Sequence, residues 1–359
     1  MSTIPGTRAA SPYGVVRMGM IALAGATIVS LIAYDFAVND RDLLAKDRVD
    51  WTMFGLIRPF VALISACLLV AALYQPDHAR SPLDDGQAPL LLGASYLMAG
   101  ALLAAAIAVA AVPTVLNETV REGQVLSILT EVVFIGALVA LGAAAWSDRR
   151  NRARVLGLPR WVVHATLILV TFLILMEEMS WGQHWVGWTA GPMFAGNVQN
   201  ETNLHNFATY RFEAVYYTAA FLLFVVLPVA WPSHVVARLR PVAPFVPPRL
   251  FALAALPLAG LLYEEWNIVP YQLWFFMGVA IAWRLAMELR QAPVPYQVAG
   301  IAVAVLLPAS QLLFVFGGHR MADGYELSEI REFLIACVIL VYGLWLLRRQ
   351  PEAGSVAAT

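Results

Sequence analysis

Residues 124–160 read QVLSILTEVVFIGALVALGAAAW and then SDRRNRARVLGLPR. The first part, 124–146, holds one charged residue, Glu131, among apolar or small side chains. A run of this length suits a transmembrane helix, which takes about 20 residues to cross the hydrocarbon core of a bilayer. The second part, 147–160, holds five arginines, and basic residues concentrate in cytoplasmic loops. The stretch therefore predicts a transmembrane helix that ends on the cytoplasmic side.

The composition of the whole chain supports the same interpretation. Of 359 residues, 60 % are hydrophobic and 13 % are charged, whereas charged residues make up about a quarter of soluble proteins. A soluble domain with so little charge could not cover its surface with polar groups. We therefore expect one all-α domain over residues 1–359, a polytopic transmembrane helix bundle.

Ten apolar runs that can cross a bilayer follow one another along the chain. The seventh is short and contains Pro257, and the ninth contains Pro308, which predicts a kink. The first resembles a signal peptide but has no small-residue cleavage site before Asp40, so we expect a retained helix. The predicted spans are 18–38, 54–74, 89–112, 124–146, 161–179, 212–231, 249–263, 267–287, 294–317 and 328–347.

The charged residues give the chain an orientation. Alternation from the 147–160 loop places 15 of the 23 basic residues inside and 18 of the 24 acidic residues outside, so that both termini are cytoplasmic. Ten of the 11 tryptophans fall at predicted span ends, where amphipathic rings prefer to lie. The single lysine, Lys46, among many arginines and alanines indicates a GC-rich bacterial gene. We therefore expect the bacterial inner membrane as the location.

Three further segments complete the organisation of the chain. The ends, 1–13 and 350–359, are predicted to be disordered. Cys67 and Cys337 both lie inside apolar runs, which excludes a disulfide framework. The outer loop 180–208 is the predicted functional loop.

The most unusual sequence begins at the outer end of the fifth span. It reads EEMSWGQHW at 177–185 and QNETNLHN at 199–206. The segment resembles one in an uncharacterised family of bacterial multipass membrane proteins that carries EExSWGQ…NETNLHN. The resemblance covers about thirty residues. It implies a shared site without implying an activity.

Residues 177–188 keep helical spacing, which predicts an interfacial helix on the outer face. Trp181, Trp185 and Trp188 would lie on one stripe that faces the acyl chains. Glu177 and His184 would be two turns apart, about 10 Å along the axis, which is too far to bind one metal ion unless the helix breaks at Gly182. The alternative is an interfacial anchor whose Glu and His bind only water or backbone groups.

Glu201 and His205 form a closer pair. Separated by four residues, they would share a helical face and could ligate one divalent metal or exchange a proton. Asn203 and Asn206 add amides that can orient a polar substrate. The alternative is a solvated turn, because Asn-rich segments are usually turns.

These patterns lead to a set of candidate site residues. The catalytic candidates, acting as an acid/base pair or as ligands of a divalent metal, are Glu177, Glu178, Glu201 and His205, of which Glu201 and His205 are the metal candidates. The substrate-binding candidates are Gln183, His184, Asn203, Asn206, Glu264 and Glu265. A structural ion-pair network is the alternative for the outer acids, since charges in membranes generally pair with one another; its arginines would be Arg58, Arg121, Arg211, Arg320 and Arg331.

Several function classes are excluded by missing motifs. The chain lacks the histidine boxes of membrane di-iron desaturases, HExxH, GxSxG, the P-loop and GxGxxG. Nucleic acid is excluded as a partner, because the basic residues mark the inner loops instead of forming a patch. No protein partner is indicated.

Three functions stay open at this level. The first is an enzyme that acts at the outer leaflet on a lipid or lipid-linked substrate, with acid/base or divalent-metal assistance. The second is a non-catalytic membrane subunit or assembly factor. The third is a proton- or cation-coupled transporter, although such transporters place their sites near the midplane and these acids lie at outer ends.

Overall fold

The computed structural model describes residues 12–44, 46–74, 83, 86–121, 123–197, 201–231 and 241–349, without the side chains of Pro12, His184 and Tyr325. Two tails, 1–13 and 350–359, are predicted to be disordered. Residues 350–359 and residues 1–11 lie outside the described residues. Residues 12 and 13, which that prediction included, already belong to the first helix.

Helices make up nearly all of the regular structure in the described residues. They are α1 Pro12–Asn39, α2 Met53–Leu73, α3 Ala88–Ala111, α4 Pro113–Val120, α5 Val125–Asp148, α6 Arg160–Glu178, α7 Gln183–Val186, α8 Thr209–Phe221, α9 Leu227–Ala230, α10 Arg249–Ala255, α11 Val269–Leu289, α12 Val294–Gly317 and α13 Leu327–Arg348. A π-helical turn, Leu222–Val226, joins α8 to α9. The one strand pair described, β1 Arg154–Val155 with β2 Leu158–Pro159, is a hairpin between α5 and α6.

Eight helical segments in the described residues are long and apolar enough to cross a membrane. They are Tyr13–Asn39, Met53–Leu73, Ala88–Ala111, Val125–Asp148, Arg160–Glu178, Thr209–Ala230, Val294–Arg320 and Leu327–Arg348. The prediction of an all-α, multi-pass helix bundle is therefore confirmed. Two of the predicted spans, 249–263 and 267–287, are not among these eight segments. The first is a short apolar helical segment, Arg249–Ala259, and the second is α11, which carries Arg284 and Glu288.

Close packing of small residues brings the helices together. Gly343 of α13 lies so near α5 that a Cβ atom there would be 3.0 Å from the Ala140 Cβ. Membrane helices use small residues in this way, because lipid provides little hydrophobic drive for association. In contrast, α1 is peripheral, with only 11 % of its most apolar window buried.

The short helical segment Arg249–Ala259 lies in the centre of the bundle, where every one of its residues is buried. The chain leaves the helix at Gly260 and runs irregularly to the 3₁₀ turn Glu264–Asn267. Helix breaks are tolerated at such depth only where side chains bind the freed backbone groups. Arg331 of α13 donates to the carbonyls of Gly260 and Leu261, and Gln311 of α12 bonds both the N–H and the C=O of Leu262.

Candidate functional site

The candidate site begins where α6 stops. The prediction of a continuous helix over 177–188 is wrong, because α6 ends at Glu178 and the three residues that follow Met179 adopt left-handed backbone angles. The φ values are +47° at Ser180, +56° at Trp181 and +96° at Gly182. Left-handed backbone costs a non-glycine residue about 1–2 kcal/mol. It persists only where surrounding contacts stabilise it.

The contacts that stabilise this break come from the second half of the motif. The carboxylate oxygen Oε2 of Glu201 accepts hydrogen bonds from Ser180 Oγ (2.7 Å), Asn203 Nδ2 (2.7 Å) and Asn206 Nδ2 (3.3 Å). Ser180 and Asn203 are fully buried, and Asn206 is nearly so. Glu201 is partly buried, and a carboxylate withdrawn from water is stabilised when its oxygens receive such donors. Glu201 therefore joins the two halves of the motif at one point.

A second set of bonds runs beside the first. The backbone N–H and the hydroxyl of Thr202 both donate to Gln183 Oε1, at 2.7 and 3.0 Å. The same hydroxyl donates to the carbonyl of Ser180 at 2.5 Å. Asn197 Nδ2 donates to the backbone and side-chain oxygens of Asn203, both at 2.9 Å. Gln183, Asn203 and Asn206, predicted to bind substrate, thus hold the loop in shape; a contact with substrate stays a prediction.

Glu177 and His205 meet on the other side of the break. Glu177 Oε2 accepts the backbone N–H groups of Leu204 (2.7 Å) and His205 (2.9 Å), and Glu177 Oε1 accepts the indole N–H of Trp181 (2.8 Å). The Nδ1 atom of His205 lies 3.4 Å from Glu177 Oε2. Among the described residues the other ring nitrogen, Nε2, has no hydrogen-bond partner, and the side chain is 25 % exposed. The imidazole is held at one nitrogen and open at the other.

The surroundings of His205 favour the neutral imidazole. Desolvation lowers the pKa of His205 below its ordinary value, and the negative charges of Glu177 and Glu201 only partly oppose this effect. A neutral ring next to a carboxylate carries its proton on the nitrogen facing that carboxylate, here Nδ1. The lone pair is then on Nε2, the open nitrogen.

The prediction that Glu201 and His205 share one face of a helix is wrong. Residues 201–204 are not helical, and a 3₁₀ turn, His205–Phe207, begins only at the histidine. The two side chains still belong to one cluster, since the charge of Glu201 acts on His205. In the part of the chain that the structure describes, no group of three His, Cys, Asp or Glu side chains lies close enough to hold a metal ion. The His184 side chain is outside that description, and metal binding by Glu201 and His205 stays a prediction.

Glu264 and Glu265 lie in a different cluster. Glu265 is fully buried, 3.5 Å from Lys46 Nζ and 3.8 Å from Arg331 Nη1, and Lys46 also pairs with Glu213 at 2.7 Å. Desolvation and the neighbouring charge of Glu265 raise the pKa of Glu264. The predicted ion-pair network of outer acids therefore exists around Glu265 and Arg331. The structure does not bring these two acids into contact with His205.

Glu178 lies between the two clusters. Its carboxylate acts electrostatically on the Tyr216 hydroxyl. Glu332, whose charge interacts with Glu213, Lys46 and Arg331 of the second cluster, acts on the same hydroxyl. Glu332 in turn accepts a hydrogen bond from Tyr217. Of the four predicted catalytic residues, Glu177, Glu201 and His205 are thus together, and Glu178 interacts with Tyr216.

Several members of both clusters are not among the residues predicted from the sequence. Three of them lie in or beside the quoted motif: Ser180, Thr202 and Asn197. The only sequence signal for them was a small polar side chain in or near the motif. Lys46 stood out as the single lysine but was not connected with a site. Nothing local marks Glu213 as its partner, because the two are far apart in sequence.

Exposed aromatic and apolar side chains lie in the same segments of chain as Glu177, Glu201 and His205, which together form the His205 cluster. These exposed side chains are Trp181, Trp185, Trp188, Leu204 and Phe207. The indole N–H of Trp185 donates to Glu131 of α5 at 2.8 Å, which ties the short helix α7 to the bundle. Exposed Trp side chains beside apolar helix ends are typical of the level of lipid headgroups.

The fold and this site define an all-α multi-pass membrane protein with a densely hydrogen-bonded polar site at one end of the bundle. No match to a protein family, to a curated protein or to a solved structure is found for the chain.

Proposed function

We propose that this protein is a membrane-embedded enzyme that acts at the outer leaflet on a lipid or lipid-linked substrate, with His205 as general base. One observation carries the proposal: the His205 imidazole is held at Nδ1 by Glu177, while among the described residues Nε2 has no partner. A carboxylate and an imidazole arranged in this way prepare the second nitrogen for proton transfer.

The chemistry follows from the contacts of Glu177. Its carboxylate is fixed by two backbone N–H groups and one indole N–H, so that it orients the imidazole and offsets the positive charge that forms when Nε2 takes a proton. The proton would come from a water molecule or from a substrate hydroxyl, which becomes the nucleophile. Ser180 is fully buried and donates to Glu201, so its contacts suit a structural role. Because Glu177 acts through the imidazole of His205, it is a positioning residue.

The topology proposed with this function is ten crossings with both termini in the cytoplasm of a bacterial inner membrane. The charge distribution supports it, since five arginines follow α5. The buried segment Arg249–Ala259 and its irregular continuation would form the seventh crossing. The Arg249 end pairs with Glu288 at the far end of α11, whereas the Glu264 carbonyl accepts the N–H of Asp47 in the α1–α2 loop. The His205 cluster then faces the outer leaflet.

The test of the proposed function uses the full chain in liposomes made from bacterial lipid extract. Mass spectrometry follows the lipids over time and identifies any new product. We expect turnover by the wild type, a loss of about 10²–10⁴-fold in His205→Gln, and no change in His319→Gln, an exposed histidine at the end of α12. Turnover that survives in His205→Gln, or lipids left unchanged by the wild type, would contradict the proposal.

Metal assistance is tested on the same preparations. The candidate ligands are Glu201 and His205, and bound divalent metal is measured in the wild type, Glu201→Ala and His205→Ala by elemental analysis. Stoichiometric metal that both substitutions remove, in protein that stays folded, would add a metal to the mechanism. Equal metal content in all three proteins would remove it.

A second candidate function, proton- or cation-coupled transport, is favoured by the break after Ala259. Interrupted helices with buried charges beside them are a feature of transporter sites, and here Arg331 and Glu265 are both buried. Proton flux into liposomes, measured with a pH-sensitive dye, separates the two candidates. Flux that is lost in Glu265→Gln and kept in His205→Gln would favour transport.

A further inference from the structure

A cleft apart from both clusters lies between α1, the α1–α2 loop and the start of α11. Its volume is about 340 Å³, within the range of small-molecule sites. One end is apolar and formed by α1, and the other end is polar and formed by the loop. The apolar residues are Val29, Ile32, Ala33, Phe36, Leu43 and Val269.

The polar end is rigid at its base. Arg58 is fully buried and pairs with Asp35 at 2.9 Å, and Arg58 Nη2 also donates to Asn267 Oδ1 at 3.2 Å. Asn267 in turn donates to the carbonyl of Arg48 and accepts the N–H of Asp50. These bonds hold Arg48 and Asp50 of the loop against Asn267 and hold Asn267 against α2.

The mouth of the cleft carries charges of both signs. Asp42 and Asp47 each accept a backbone N–H, and within the described residues neither forms an ion pair. Arg41 pairs with Asp50 through Nη2, whereas its Nη1 atom is buried and has no hydrogen-bond partner in the described part of the chain. The Arg41 side chain as a whole is 33 % exposed and lines the cleft, so its guanidinium can donate to an anionic group bound there.

We infer that this cleft binds one phospholipid of the outer leaflet with a zwitterionic phosphoethanolamine head. The phosphate would accept from Arg41, the ammonium group would lie between Asp42 and Asp47, and an acyl chain would follow Ile32 and Ala33 along the lipid-facing side of α1. An anionic head with no ammonium group would meet the two carboxylates without a compensating charge. The inference rests on the proposed topology, which puts this loop on the outer side, and not on the chemistry proposed for His205, since no residue of the His205 cluster lines the cleft.

Native mass spectrometry of the full-length protein tests the inference. The protein is incubated with equal amounts of phosphatidylethanolamine and phosphatidylglycerol that have identical chains, and retained lipids are counted. We expect the ethanolamine lipid to be retained several-fold over the glycerol lipid. We expect the double variant Asp42→Asn/Asp47→Asn to lose this preference. The control variant Glu118→Gln, which changes an exposed acid outside the cleft, should keep it.

A second variant covers the case in which the loop substitutions disturb folding. Ala33→Trp places a large side chain at an exposed position inside the apolar end, so it fills the cleft and leaves the charges in place. We expect one fewer retained lipid per protein. Equal retention of the two lipids by the wild type would overturn the inference, as would an unchanged preference in the aspartate variant or unchanged retention in Ala33→Trp.

Discussion

At the residue scale, the site depends on how one carboxylate is used. Glu177 accepts three N–H donors and lies 3.4 Å from the His205 ring, so it both closes the loop and orients the imidazole. Glu201 accepts three donors through one oxygen and fixes the turn at Ser180. The two acids therefore have different tasks, although the sequence offers them as equivalent catalytic candidates.

The pH profile of turnover tests the role of His205. A general base must be neutral, and desolvation lowers the pKa of His205 below the ordinary value of about 6.5. Turnover should therefore be full at neutral pH and fall only as the pH drops through the lowered pKa. A profile that falls already above pH 6.5 would contradict the assignment.

Glu177→Gln tests whether Glu177 acts through the histidine. Removing this negative charge removes an interaction that raises the pKa of His205, so the acid limb of the profile should move to lower pH while the maximal rate falls. An acid limb that stays in place in Glu177→Gln would contradict the assignment of that limb to His205, because the charge of Glu177 raises the pKa of His205. The lowered pKa of His205 in the folded protein also affects stability. Below about pH 6.5 the unfolded chain binds a proton that the folded protein does not, so acid begins to destabilise the fold.

At the element scale, the left-handed turn after α6 separates two helices that the sequence spacing would merge. Gly182 has a φ of +96°, and a Cβ atom there would lie 3.3 Å from Trp188. Gly182→Ala should therefore lower the free energy of unfolding by about 1–3 kcal/mol and reduce turnover, because the loop carries Glu201 and His205. Thermal unfolding in detergent measures the first effect. Gly191→Ala is the control, since Gly191 has a φ of −70° and open space around it.

The interrupted helix in the centre of the bundle depends on Arg331. Arg331→Met would leave two backbone carbonyls without their donor and the buried Glu265 with Lys46 as its remaining ion-pair partner. Losing one member of a buried ion pair costs about 3–5 kcal/mol. We expect a large fall in the unfolding midpoint. Arg348→Met, at an exposed position of the same helix, should have little effect. Adding Glu265→Gln to Arg331→Met should restore part of the loss, and no recovery would argue against a pair between these two residues.

At the scale of the whole molecule, the proposed topology places the His205 cluster outside and the arginine loop inside. Single cysteines introduced at Thr189 and Ala153, in a chain whose Cys67 and Cys337 are replaced by alanine, report on the two sides. In intact cells a membrane-impermeant maleimide should label Thr189→Cys and not Ala153→Cys, which should react only after permeabilisation. The reverse pattern would place the site in the cytoplasm and remove the outer-leaflet substrate from the proposal.

The sequence by itself determined the class of the protein. Long apolar runs must be helices in a membrane, because no other single segment satisfies its own backbone there, so the multi-pass bundle could be predicted from composition and run length. The motif also pointed to Glu177, Glu201 and His205 as neighbours. These properties depend on interactions that are local or are imposed by the solvent.

Only the tertiary structure decided how the polar groups are paired. Helical spacing predicted a helix through Gly182 and a helical face for Glu201, and both failed because hydrogen bonds between distant segments outweigh local propensity at Ser180. The pairing of Lys46 with Glu213 and Glu265, and the break bridged by Arg331, likewise join residues far apart in the chain. Such contacts have no local signature, because burial and partner geometry exist only once the helices have packed.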